Sequence, residues 1–219
     1  MFTWHMQGTD ADEKNIGLAK LIYRLRQDLD LYRIIGLNQK ELTEKGVSVA
    51  LWGHVQMMAH ESIAVTICKI FEKEDRYPRN SMPGIIEELC GKTSHDGRTV
   101  LLQKFAEKYG VKADILEEAQ LLAAVVADFR QKHTVALARL KYFRDKIGAH
   151  SEHGIVVDAL PSLDECEQSF EFAVDFYRVV SAVYIDVIPA FIGSHVGDGL
   201  VRVMEALGIE SPAVKFPDE

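Results

Sequence analysis

Leu137-Ala138-Arg139-Leu140-Lys141-Tyr142-Phe143-Arg144-Asp145-Lys146-Ile147-Gly148-Ala149-His150 carries an apolar residue at every third or fourth position until a glycine interrupts it. That is the period of a helix with one buried face. Upstream, the same period continues through Ile115, Leu116, Leu121, Leu122, Val125, Val126, Phe129 and Val135. The spacing therefore predicts a single helix from about Asp114 to Ile147. At roughly 34 residues it would be about 50 Å long, which suits the spine of a bundle or a dimer interface. Asp114 with Glu117 has the form of a capping box at its start, and Gly148 that of a left-handed stop at its end.

Helical periodicity also governs the flanks, and strand alternation is nearly absent. A first helix is expected from about Asp12 to Ile35, with Ile16, Leu18, Leu21, Ile22, Leu25, Leu29 and Tyr32 as its apolar stripe and Gly36 as its stop. Asn38 with Glu41 reads as a capping box opening a second helix, which carries Leu51, Trp52, Val55, Met58, Ala59, Ile63, Ile67, Ile70 and Phe71. It ends before the breaker-rich run Arg76-Tyr77-Pro78-Arg79-Asn80. Ser81 and Pro83 start a short helix to about Leu89, and another runs from Thr99 to Tyr109 with Gly110 after it. Pro161-Ser162 with Glu165 opens a long C-terminal helix through Phe170, Val174, Phe176, Tyr177, Val180 and Val183 that Pro189 kinks or ends. A last helix is expected at about Leu200 to Leu207. Residues 1–219 thus read as one all-α domain, an up-and-down four-helix bundle with short helical insertions between the second and third long helices.

Composition narrows the function classes. No apolar run reaches the roughly 18–20 residues that cross a bilayer, so no membrane partner is expected. The first residues, Met1-Phe2-Thr3-Trp4-His5, lack a basic start and an apolar h-region, so a secretory signal is not expected and the location is read as cytoplasmic. Cys68, Cys90 and Cys166 are scattered and form no CxxC pair, which fits reduced thiols better than a disulfide framework or zinc site. The formal net charge of -8 argues against binding nucleic acid over the whole surface. Charge is nevertheless uneven. Residues 130–153 carry a local +4 (Arg130, Lys132, Arg139, Lys141, Arg144 and Lys146 against Asp145 and Glu152), and the remainder carries -12. Such a segment is either an anion site or a set of cations complementing the negative end of a helix.

The chemistry-bearing residues of that segment are Arg144 and His150. On an uninterrupted helix, residues six apart point about 240° away from each other and lie about 9 Å apart along the axis. If Gly148 takes the left-handed conformation, the helix closes near Ile147 and the two side chains, or their copies across a two-fold axis, can approach. A guanidinium presents a planar fork to phosphate oxygens, and an imidazole moves a proton near neutral pH. Together they suffice to cleave RNA without a metal when the ribose 2′-hydroxyl is the nucleophile.

Arginine, a polar residue and a histidine after five intervening positions, at the end of a bundle helix, resembles the R-x4-6-H signature of the HEPN superfamily. The fuller run Arg-Asp-Lys-x-x-Ala-His-Ser resembles its abortive-infection U-type branch, linked to phage resistance. Ile63 through Ile86, with Ile70-Phe71-Glu72 and Arg79-Asn80-Ser81-Met82, is similar to a helix-and-loop pattern of that branch. The likeness covers about residues 45–185. The resemblance implies a homodimer with both motifs lining one cleft, and a metal-independent endoribonuclease acting in defence or as a toxin beside an antitoxin protein. It implies Arg144 and His150 as catalytic residues, with Asp145, Lys146 and Lys141 as the RNA- or phosphate-binding surroundings. No cofactor and no metal are implied. Asp145 replaces the commoner asparagine and sets a negative charge beside the phosphate site. Some relatives are non-catalytic, so a helical dimer binding a protein partner or a nucleotide is the alternative.

Rival constellations are weaker. His150, Glu152 and His153 could offer metal ligands but lack an obvious further donor. His54 and His60 cannot share a helix face, and no Glu-x-x-His pair of a di-iron bundle occurs. Gly193 to Gly199 match neither a Walker A loop nor a dinucleotide turn, and no Gly-x-Ser-x-Gly elbow is present. Arg76, Arg79 and Lys92 could extend a phosphate surface or simply be solvated loop charges.

Overall fold

Leu18, Ile22, Leu25 and Leu29 recur at helical spacing along helix α1 (Asp10–Leu37), and all four are buried. The computed structural model describes residues 10–73, 77–92, 94, 98–112, 117–149, 161–185 and 195–210. After α1 come α2 (Gln39–Glu44), α3 (Val49–Phe71), a 3-10 turn at Pro78–Asn80, and α4 (Met82–Leu89). Then follow α5 (Thr99–Lys108), α6 (Glu118–Lys132), α7 (Thr134–Ala149), α8 (Leu163–Val180) with a π segment at Ser181–Ile185, and α9 (His195–Ala206). Among the described residues there is no strand, so the all-α expectation holds.

Several expected boundaries move, each for a local reason. Gly36 does not stop α1, which runs on to Leu37. Asn38 is no capping box for a following helix. Its Nδ2 donates backwards to the Ile34 carbonyl at 2.7 Å and closes α1 instead. The expected second helix is accordingly two, α2 and α3, parted by Gly46 at φ 70°, and Ser48 caps α3 through its hydroxyl. The single 34-residue helix also divides, at His133. The Thr134 hydroxyl donates to the carbonyls of Arg130 and Gln131 at 2.9 and 2.7 Å, and such back-bonding competes with the helical ladder. The division lets α6 pack on α4 and α5 while α7 packs on α3. Ser81 and Ser162 cap their helices as expected, the latter in a full capping box with Glu165. Asp114 and Pro189 lie outside the described residues.

The main core gathers where α3, α5, α6 and α8 meet. Phe172 of α8 is fully buried and stacks on Phe129 of α6 with centroids 3.9 Å apart. Phe71 and Phe105 flank it at 5.9 Å, and Tyr109 meets it edge-on at 4.7 Å. Helix α1 lies antiparallel on α3, since Tyr32 accepts from Gln56 at its carbonyl while Asp28 accepts from Ser62. Arg33 pairs with Glu167 to tie α1 to α8. A smaller cluster of Ile34, Ile35, Leu42, Leu200, Met204 and Ile209 docks α9 on the far end of α1. In the π segment the Arg98 guanidinium takes the Ala182 carbonyl at 2.6 Å.

His60 couples α1, α3 and α7. Its buried ring sits between Tyr32 at 5.3 Å and Phe143 at 4.7 Å. Burial pushes its imidazole below the ordinary histidine range, and a hydrogen bond to the Pro161 backbone pulls only partly the other way. The unfolded chain therefore binds this proton first as pH falls. Stability from a neutral His60 is complete above about pH 6.5 and declines below it until the folded-state value is passed. Burial holds Asp28 and Glu167 above the usual carboxylate range, so their stabilising effect is complete in stronger acid and fades as pH rises through their own values. We expect denaturant midpoints to fall between pH 7 and 5.5 in the wild type, and His60→Gln to flatten that slope. Equal slopes in the two proteins would rule the assignment out.

Candidate functional site at the end of helix α7

The C-terminal half of α7 crosses the C-terminal end of α3, and two charged side chains meet there. Glu72 is the first residue beyond α3. Its N–H still donates to the Cys68 carbonyl at 2.8 Å, but its backbone is extended, which turns the chain away from the helix axis. Arg144, on α7, donates from Nη1 to Glu72 Oε2. The same guanidinium donates from Nε and Nη2 to Asp145 Oδ1, at 2.9 and 2.7 Å. One cation thus sits between two carboxylates, one on α7 itself and one just beyond the end of α3. The Arg144 side chain is 25% exposed, against 54% for Asp145.

Electrostatics follow from this clamp. Partial burial works against the charge on Arg144, but its hydrogen bonds to Glu72 and Asp145 outweigh that and raise its proton affinity further. Arg144 is therefore a permanent cation. Cys68, one turn before Glu72, is buried, and burial pushes its thiol up to about 11 although Arg144 pulls it down. At neutral pH it is a thiol and no nucleophile.

The basic segment is more neutralised than its composition suggests. Arg139 pairs with Glu165 at 3.3 Å and Lys132 with Asp128 at 2.6 Å. Arg79 is held by Glu88 at 2.9 Å, so that loop cation belongs to a local ion pair. Lys141 is exposed on α7, and the Lys146 ammonium lies 5.9 Å from the Tyr142 ring centre. Lys141, Arg144, Asp145 and Lys146 thus lie within six residues of α7, and Arg144 among them is joined to Glu72. Its partner lies 72 positions away, and no local pattern signals such a pairing.

Helix α7 does not close at Ile147 but continues through Gly148 to Ala149. A glycine inside a last turn costs a helix only about 1 kcal/mol, so it need not end it. His150, Glu152 and His153 lie outside the described residues. Among the described residues no group of three potential metal ligands occurs, and no helix is long and apolar enough to cross a membrane.

A family model described as HEPN_AbiU2, AbiU2, matches residues 9–191, a span that takes in Glu72, Arg144 and His150. It extends beyond the expected likeness at both ends. No curated protein and no solved structure matches the chain.

Proposed function

Since the chain belongs to the AbiU2 family of HEPN proteins, we propose that it is a defence-associated, metal-independent endoribonuclease acting as a homodimer. The observation that carries this reading is the Arg144 guanidinium, held in the C-terminal half of α7 by a glutamate just beyond the end of α3, which packs on α7. A fork oriented in advance loses little freedom when it meets a phosphate.

The reaction is a transesterification. The ribose 2′-oxygen attacks the adjacent phosphorus, the bond from phosphorus to the 5′-oxygen breaks, and a 2′,3′-cyclic phosphate and a 5′-hydroxyl result. His150 takes the 2′-hydroxyl proton or delivers one to the leaving 5′-oxygen, and two protomers supply both functions. Arg144 offsets the charge that accumulates on the non-bridging oxygens. Lys141 and Lys146 attract the RNA backbone, and an antitoxin protein would act by covering this helix end.

A second reading, a non-catalytic dimer that binds a protein partner or nucleotide, draws on a different feature of α7. Val135, 65% exposed, and Tyr142, 43% exposed, lie with Ala138 on one outward row of that helix. Incubating the pure protein with mixed RNA in EDTA separates the two readings. Fragments ending in 2′,3′-cyclic phosphate are the expected product. Intact RNA at every protein concentration would leave only the second reading.

A further inference from the structure

Arg144 engages Asp145 along its Nε/Nη2 edge, both donors converging on the single oxygen Oδ1. That edge is one of those through which a guanidinium grips a phosphate side-on. An ionised carboxylate is, like a phosphate oxygen, an acceptor only. The two anions therefore compete for the same donors and repel each other if both are present. Glu72 differs in kind, because it reaches the opposite nitrogen, Nη1, from the chain just beyond α3.

We infer that Asp145 occupies the phosphate subsite of Arg144 as an internal stand-in anion, and that RNA engages the fork only by displacing it. The inference rests on the reading of Arg144 as a phosphate-binding group. Displacement needs only a small movement. Asp145 is the sequence neighbour of Arg144 and the more exposed of its two partners, at 54% against 36% for Glu72. A turn about its own side-chain torsions releases its carboxylate to water, while Glu72 still orients the guanidinium. Asp145 thus tunes affinity for the phosphate backbone, and asparagine at this position would remove the competitor's charge without removing its shape.

A single-stranded RNA carrying 2′-O-methyl groups throughout has no nucleophile and isolates binding from cleavage. Its dissociation constant is measured by fluorescence anisotropy over a range of salt for wild type, Asp145→Asn, Arg144→Gln and the double variant. Asp145→Asn is expected to bind about fivefold more tightly, the scale of one exposed ion pair removed. Its slope of log affinity against log salt steepens by about 0.7, one additional cation not neutralised from within the protein and facing a single strand. In the Arg144→Gln background neither change appears. Equal tightening in both backgrounds would mean only a general loss of negative charge and would overturn the inference, as would unchanged or absent binding by Asp145→Asn. If the coupling appears but unmodified RNA stays intact with wild type, the anion site stands and the nuclease reading falls. If wild type cleaves RNA and no coupling appears, only the inference falls.

Discussion

Arg144→Ala is expected to slow RNA cleavage by about 10²–10³-fold, the usual consequence of removing one donor from developing oxyanion charge. Arg144→Lys should recover little of it, because a lysine restores the charge but not the planar fork that reaches Glu72 and a phosphate together. Arg144→Ala leaves Glu72 and Asp145 without their shared cation, and Arg144→Lys leaves them with one that has no fork to reach both. These groups are partly exposed, so the cost to stability stays below about 1 kcal/mol and helical content is retained. Single-turnover rates beside far-ultraviolet circular dichroism check this. A rate for Arg144→Ala within a factor of two or so of wild type would remove the arginine from the mechanism.

Phe172→Ala is expected to cost about 3–5 kcal/mol of folding stability. The residue is fully buried and is the common neighbour of Phe71, Phe105, Tyr109 and Phe129, drawn from α3, α5 and α6 and the turn after α5. Its removal leaves a cavity that four rings on separate elements cannot fill together. Against a typical domain stability of about 5–15 kcal/mol, that is a large fraction. Urea denaturation gives the value directly, and a loss under about 1 kcal/mol would contradict this account of the core.

Phe172 also marks what sequence reading could not see. An apolar stripe at helical spacing identifies a helix with one buried face, and α1 follows it closely. Helix α8 is buried on most of its circumference, with Phe170, Phe172, Ala173, Val174, Phe176 and Tyr177 all inside. A single-stripe reading of α8 passes over Phe172, although it lies at the centre. Caps formed by residues three apart were legible at Ser81 and Ser162, because they are local. Asn38 shows the weakness of the same rule, since its side chain had a nearer partner in the Ile34 carbonyl of the helix it follows. The division at His133 was hidden because apolar spacing continues across it, and only the Thr134 hydroxyl betrays it.

The site divides along the same line. Arg144 and its neighbours were legible as a motif, and the family match encloses them. Glu72 was legible within the Ile70-Phe71-Glu72 stretch but not as the partner of Arg144, because a charge pair made by packing leaves no trace in spacing. Local charge misled for the same reason. Residues 130–153 sum to a basic segment, but Lys132 and Arg139 pair with carboxylates, Asp128 on the same helix and Glu165 on another, and Arg144 with Glu72 and Asp145.

If the Arg144 fork and His150, six positions apart, cleave RNA without a metal, the decisive comparison follows one RNA in EDTA with wild type and with His150→Ala at matched concentration. The wild type is expected to leave 2′,3′-cyclic phosphate ends, and the variant to be slower by about 10²–10⁴-fold, the contribution of general acid–base catalysis. Cleavage by His150→Ala at the wild-type rate, with the same product ends, would contradict it.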